Sequence, residues 1–198
     1  MRRTIDLIML TRPVNSIMVG FAVIVGIAVS APGQLLSITA LLGFLTGFLI
    51  SSYSMIVNDC YDLEVDRINS PDRALPSGRI HLRTAVTFSG ILLTLGLISS
   101  IIIGLDTFII ALVFAVIAWA YNFRGKKQLL LGNMMVAASV AIPYIYGGAT
   151  VGMMGDLLLW FLALTSFLAA TGREVVKTIA DVKGDAVRQV KSVARVYG

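Results

Sequence analysis

Apolar residues fall into six long blocks along this chain, roughly 14–30, 36–57, 84–104, 106–122, 131–151 and 156–176. Each block approaches the ~20 consecutive apolar residues that a helix needs to cross the hydrocarbon core of a bilayer. The pattern predicts an all-α fold, a polytopic bundle of six transmembrane helices in a single domain over residues 1–198. The polar segments between blocks are of two kinds. Residues 31–35, 104–107 and 152–156 are short and hold no Lys or Arg, whereas 58–83, 123–130 and the two ends of the chain carry all sixteen basic residues. Under the positive-inside rule this asymmetry places the N-terminus and both charged loops on the cytoplasmic face.

Composition supports the membrane reading and narrows it. The chain is 57% hydrophobic and 14% charged, with a mean hydropathy of +0.87, whereas soluble domains carry about 25% charged residues. Its net charge of +5 marks one membrane face, so nucleic acid is not an expected partner. Cys60 stands alone, which excludes an intrachain disulfide. Met1-Arg2-Arg3 before an apolar run superficially resembles a secretory signal, but Asp6 and the Arg12-Pro13 break argue for mature protein.

Candidate chemistry is concentrated where the second block ends, in Asn58-Asp59-Cys60-Tyr61-Asp62-Leu63-Glu64-Val65-Asp66. If this segment is helical, Asn58, Asp62 and Asp66 share a stripe, with Asp59 one turn before Asp62. Carboxylates so close at the end of a membrane span repel one another unless a cation sits among them. A second pair, Asp181 and Asp185, follows the sixth block, behind Arg173-Glu174-Val175-Val176-Lys177. Either cluster alone is as well read as a solvated helix end or a set of salt bridges. Two on one face suit Mg²⁺, which takes hard oxygen ligands from one or two carboxylates plus substrate phosphates. Arg67, Arg73, Arg79 and Arg83 lie in the first charged loop, and Tyr121-Asn122-Phe123-Arg124-Gly125-Lys126-Lys127 closes the fourth block. Such cations neutralise charge that grows on a diphosphate leaving group. Pro71, Pro76 and Gly78 predict a structured turn in that loop, suited to covering a site and excluding water. Glu64 and His81 read as solvated, Cys60 as filler, and Gly43, Gly47, Gly90, Gly96, Gly132, Gly147 and Gly148 as sites of close helix packing.

Taken together, Asn58-Asp59-x-x-Asp62-x-x-x-Asp66, the loop Arg67-Ile68-Asn69-x-Pro71-x-Arg73-x-x-Pro76-Ser77-Gly78 and the later Asp181-x-x-x-Asp185 resemble the UbiA-type intramembrane prenyltransferases. Arg79-Ile80 and Arg173-Glu174-x-x-Lys177 are most similar to the archaeal digeranylgeranylglyceryl phosphate synthases. The resemblance implies a cavity open to lipid and two Mg²⁺ ions held by Asn58, Asp59, Asp62, Asp66, Asp181 and Asp185, with the five aspartates as the catalytic set. It implies an isoprenyl diphosphate donor, geranylgeranyl diphosphate, and a lipid-like acceptor, geranylgeranylglyceryl phosphate. Substrate contacts are expected from Asn15, Asn58, Arg67, Arg73, Tyr121, Arg124, Lys126 and Lys177. Asn15 enters through Arg12-Pro13-x-Asn15, which resembles a first-span motif of the family, and a helix–helix hydrogen bond is its equally good alternative. Where relatives have Tyr-x-x-x-Lys, the position four beyond Tyr121 is Gly125, so either Arg124 or Lys126 takes that place. The family usually has nine spans, so six imply either a piece of a longer chain or a short member with one side of its cavity open.

Other readings are available. Related enzymes prenylate aromatic or quinone precursors and haem. A CDP-alcohol phosphotransferase is also Mg²⁺-dependent with six spans, but it requires Gly where Leu63 follows Asp62. A cation transporter would hold its carboxylates near mid-bilayer, not at span ends.

Overall fold

The computed structural model of the chain describes residues 2–180. A short α1 (Arg2–Leu10) leads into α2 (Pro13–Ser30), and α3 (Ile38–Tyr61) returns across the bundle to a short α4 (Leu63–Asn69). A loop then reaches the hairpin α5 (Leu82–Ile103) and α6 (Leu105–Phe123), followed by α7 (Leu129–Thr150) and α8 (Leu157–Ala180). Six of these, α2, α3, α5, α6, α7 and α8, are long and apolar enough to span a membrane. The all-α expectation holds, and the span ends differ from the expected ones by a few residues, most at the ends of α3 and α8.

Local chemistry explains several ends. Arg12 adopts φ 46°, ψ 66°, and Pro13 opens α2 with its φ already helical. Ser37 caps α3 by accepting from the Ala40 backbone N–H at 3.1 Å. The α5–α6 hairpin is tied by Thr107, whose hydroxyl donates to the carbonyl oxygens of Ser100 at 2.9 Å and Gly104 at 2.8 Å. Lipid offers no hydrogen-bond partners, so buried hydroxyls must find them within the protein. Thr46 donates to Leu42, Ser52 to Phe48, and the Tyr146 hydroxyl to Ser100 Oγ.

The centre of the bundle is α3, which packs against α2, α5, α6 and α7, while α8 leans chiefly on α7. At the α2–α7 crossing Gly26 and Gly147 bring the two backbones together: a Cβ on Gly26 would strike the Tyr144 carbonyl, and one on Gly147 the Val23 carbonyl. Gly43, Gly47 and Gly96 also pack tightly, but Gly90 faces open space, which corrects the packing role expected of it.

At the charged end, Leu10 of α1, Ile56 of α3, and Ala74, Leu75 and Ile80 of the α4–α5 loop are buried in one cluster. The loop is therefore seated on the bundle through three apolar side chains. Its backbone closes through Ile80 N–H to the Ala74 carbonyl at 3.0 Å, with Gly78 at φ 76° making the turn.

Candidate active site

The acidic segment does not form one helix. Asp62, at φ −91°, ψ 6°, ends α3 and precedes α4, so the expected single stripe through Asn58, Asp62 and Asp66 is bent at its middle. Backbone bonds Asp62 N–H to Asn58 and Asp66 N–H to Asp62 keep the two helices in register across the bend. The aspartates consequently divide into two groups.

Asp59 and Asp66 form the first. Arg12 Nη2 donates to Asp59 Oδ1 at 2.5 Å, and Arg73 Nη1 reaches Asp66 Oδ2 at 2.9 Å and Asp59 Oδ1 at 3.8 Å. The Asp59 side chain is only 9% exposed. Asp62 is the second group, 31% exposed, with Lys126 Nζ at 2.5 Å from its Oδ1.

Asp62 opens onto a cavity of about 750 Å³. Arg12, Asn58, Tyr121, Lys126, Glu174 and Lys177 line it together with Ser54, Asn122 and Ser139, and Met55, Val65, Ala118 and Val136 supply an apolar wall. Of the residues expected from sequence, the structure thus gathers Asn58, Asp62, Tyr121, Lys126 and Lys177 around one space. Asp59, Asp66 and Arg73 stand beside it as a paired network. Of Arg124 and Lys126, it is Lys126 that meets Asp62, whereas the Arg124 guanidinium lies 5.3 Å from the centre of the Phe123 ring.

Three expected contacts lie elsewhere. Arg67 turns outward to Glu64 at 2.7 Å, because positions 64 and 67 share the exposed face of the short α4. Arg124 is held over Phe123, away from the carboxylates. Asn15 is exposed and off the cavity wall, since its neighbour Ser16 takes the buried face of α2 and donates to the Thr11 carbonyl. Asp181 and Asp185 lie outside the described residues.

Sequence reasoning left Arg12 and Glu174 unassigned. A cation immediately before the first span is the available signal for Arg12. A carboxylate in the last turns of an apolar helix is the signal for Glu174. Glu174 is 12% exposed and loosely flanked by Arg173 at 3.5 Å and Lys177 at 3.8 Å. Among the described residues, no three Asp, Glu, His or Cys side chains converge on a point that one metal ion would occupy. Asn58 and Asp62 nevertheless present hard oxygens to the cavity beside several cations. That donor set fits an ion of the Mg²⁺ kind, whose remaining ligands come from phosphate and water.

Residues 19–198 match the UbiA prenyltransferase family. The chain is 37% identical over 188 residues to a digeranylgeranylglyceryl phosphate synthase of Thermococcus sibiricus, covering 94% of this chain and 66% of that protein. It is 40% identical over 151 residues to the synthase of the same name from Sulfolobus acidocaldarius, covering 76% and 54%. A solved structure of a digeranylgeranylglyceryl phosphate synthase superposes with a TM-score of 0.92 at 34% identity, over 100% of this chain and 70% of that one. A UbiA homologue from Archaeoglobus fulgidus bound to GPP and Mg²⁺ shares the fold, with a TM-score of 0.77 at 22% identity over 98% and 69%. The chain spans about two thirds of the length of the Thermococcus relative.

Proposed function

The chain belongs to the UbiA prenyltransferase family, and from that premise we propose that it transfers a geranylgeranyl group from its diphosphate to the free hydroxyl of geranylgeranylglyceryl phosphate, an archaeal ether-lipid step. The observation that carries the proposal is the cavity itself, in which Asp62 and Asn58 face Arg12, Lys126 and Lys177 at the charged end of an apolar bundle. The names of the similar synthases support the choice of acceptor.

Two Mg²⁺ ions would be held by Asn58, Asp59, Asp62 and Asp66 on one side and by Asp181 and Asp185 on the other, and would supply charge compensation for the diphosphate. Lys126, Lys177, Arg12 and Arg73 bind and orient its oxygens, and stabilise the negative charge that builds as the C1–O bond breaks. The acceptor hydroxyl oxygen attacks C1 as that bond opens; pyrophosphate departs with the bonding electron pair, and the hydroxyl proton leaves with it. Tyr121 and the apolar wall of Met55, Val65, Ala118 and Val136 exclude water from the reacting carbon. The isoprenoid tails lie between apolar helices while the phosphates stay at the charged end.

The cytoplasm is the proposed side of that end. Supporting it, Arg79–Asp6 joins the α4–α5 loop to α1, while Arg12–Asp59 and Lys126–Asp62 bring the start of α2 and residue 126 to the same end of α3, so these basic segments share one face of the bundle. Family membership sets aside the CDP-alcohol phosphotransferase and transporter readings. Acceptor choice is tested by supplying geranylgeranyl diphosphate with a panel of geranylgeranylglyceryl phosphate, hydroxybenzoate, a naphthoate and haem, and identifying products by mass. A diether product is expected; prenylated aromatic or haem as the dominant product would replace this acceptor.

A further inference from the structure

Asp6 and Arg79 are absorbed by neither the cavity nor the bundle core, yet they join two segments 73 residues apart. Arg79 Nε lies 3.1 Å from Asp6 Oδ2 and 3.3 Å from Oδ1, and its Nη2 donates to the Asp72 carbonyl at 2.9 Å. One guanidinium thus ties α1 to the start of its own loop. The residue after Asp72 is Arg73, which bridges Asp66 and Asp59.

The seat beneath this contact is apolar and shared. Leu10 of α1 is buried in the same cluster as Ala74, Leu75 and Ile80 of the loop, with Leu7 packed against it. Ile5, Ile8 and Met9 face outward, each more than half exposed. The Asp6 side chain is 17% exposed and the Arg79 side chain 44%, so water screens the pair only in part.

We propose that Asp6 and Arg79 are positioning residues: their latch fixes the loop so that Arg73 stays on the Asp59–Asp66 pair, ready to meet a diphosphate. The proposal rests on the diphosphate reading above. Loosening the latch lowers the fraction of molecules with Arg73 in place, and apparent affinity falls by that fraction. A partly exposed pair of this kind sets the expected loss at about fivefold.

The test uses the full chain in detergent, with inorganic pyrophosphate and Mg²⁺ as the probe. Asp6→Asn and Arg79→Gln are each expected to weaken pyrophosphate binding about fivefold, and the double variant no further, because one contact is lost in all three. Asp6→Glu should bind like the unaltered protein. Hydrogen exchange at the Gly78 and Ile80 amides should quicken in Asp6→Asn while exchange in α3 stays unchanged. Unaltered affinity in both single variants, additive losses, or faster loop exchange without weaker binding would each overturn the positioning role. Failure of the unaltered protein itself to bind pyrophosphate is a different result: it removes the diphosphate reading, and this inference with it.

Discussion

Asp59 and Asp62 are three residues apart and equally charged, yet the fold treats them differently. Asp59 is almost enclosed and faces two guanidinium groups, Arg12 and Arg73. Asp62 is about a third exposed, meets one ammonium, and borders the cavity. The bend between α3 and α4 makes the difference, because it turns the second carboxylate out of the bundle while the first stays within the helix. Charge density along a sequence therefore does not say which carboxylate is enclosed by guanidiniums and which opens onto the cavity. Exposure and the number of cations around each do.

Substitutions along the segment should separate the two roles. Asp62→Asn is expected to lower turnover about 100-fold with little change in melting temperature, and near-normal turnover at saturating Mg²⁺ would remove Asp62 from the site. Asp59→Asn leaves Arg12 and Arg73 without their shared anion and should cost about 1–2 kcal/mol of stability, moderated by the exposure of both guanidiniums. A thermal shift assay in detergent checks this, and an unchanged melting temperature would mean that these ion pairs add nothing to stability. Lys126→Met should raise the KM for the prenyl diphosphate about fivefold through loss of one ammonium contact, with a smaller change in kcat; the steady-state split between the two is the measurement. Arg67→Gln should alter stability by less than about 0.5 kcal/mol and leave kinetics alone, as befits an exposed pair with Glu64. A large kinetic defect there would bring Arg67 back to the substrate.

Much of this architecture is legible in the sequence, for physical reasons that also mark where legibility stops. Spans are readable because lipid demands long apolar runs, and the grouping of Lys and Arg in alternate connectors marks a shared face. The bend at Asp62 has no such signature: no Gly or Pro lies between Asn58 and Asp66. Arg67 and Arg73 look alike as neighbours of the motif, and only the short α4 and the buried Ala74 and Leu75 send one outward and the other inward. Arg12–Asp59 joins residues 47 apart, a pairing that no local pattern encodes. The Ala-Leu and Ile positions of the α4–α5 loop were a usable clue, since buried side chains in a polar loop imply a seat.

Arg12 holds one further consequence. It is the one non-glycine residue with positive φ among those described, a conformation that costs an L-residue roughly 1–2 kcal/mol. Glycine would make that bend more easily, but it would strip Asp59 of its closest cation. Backbone ease and charge balance thus pull position 12 in opposite directions, and position 59 decides between them. Across the lineage the two should drift as a pair: where the acid at 59 is lost, one of the pulls that keep arginine at 12 goes with it.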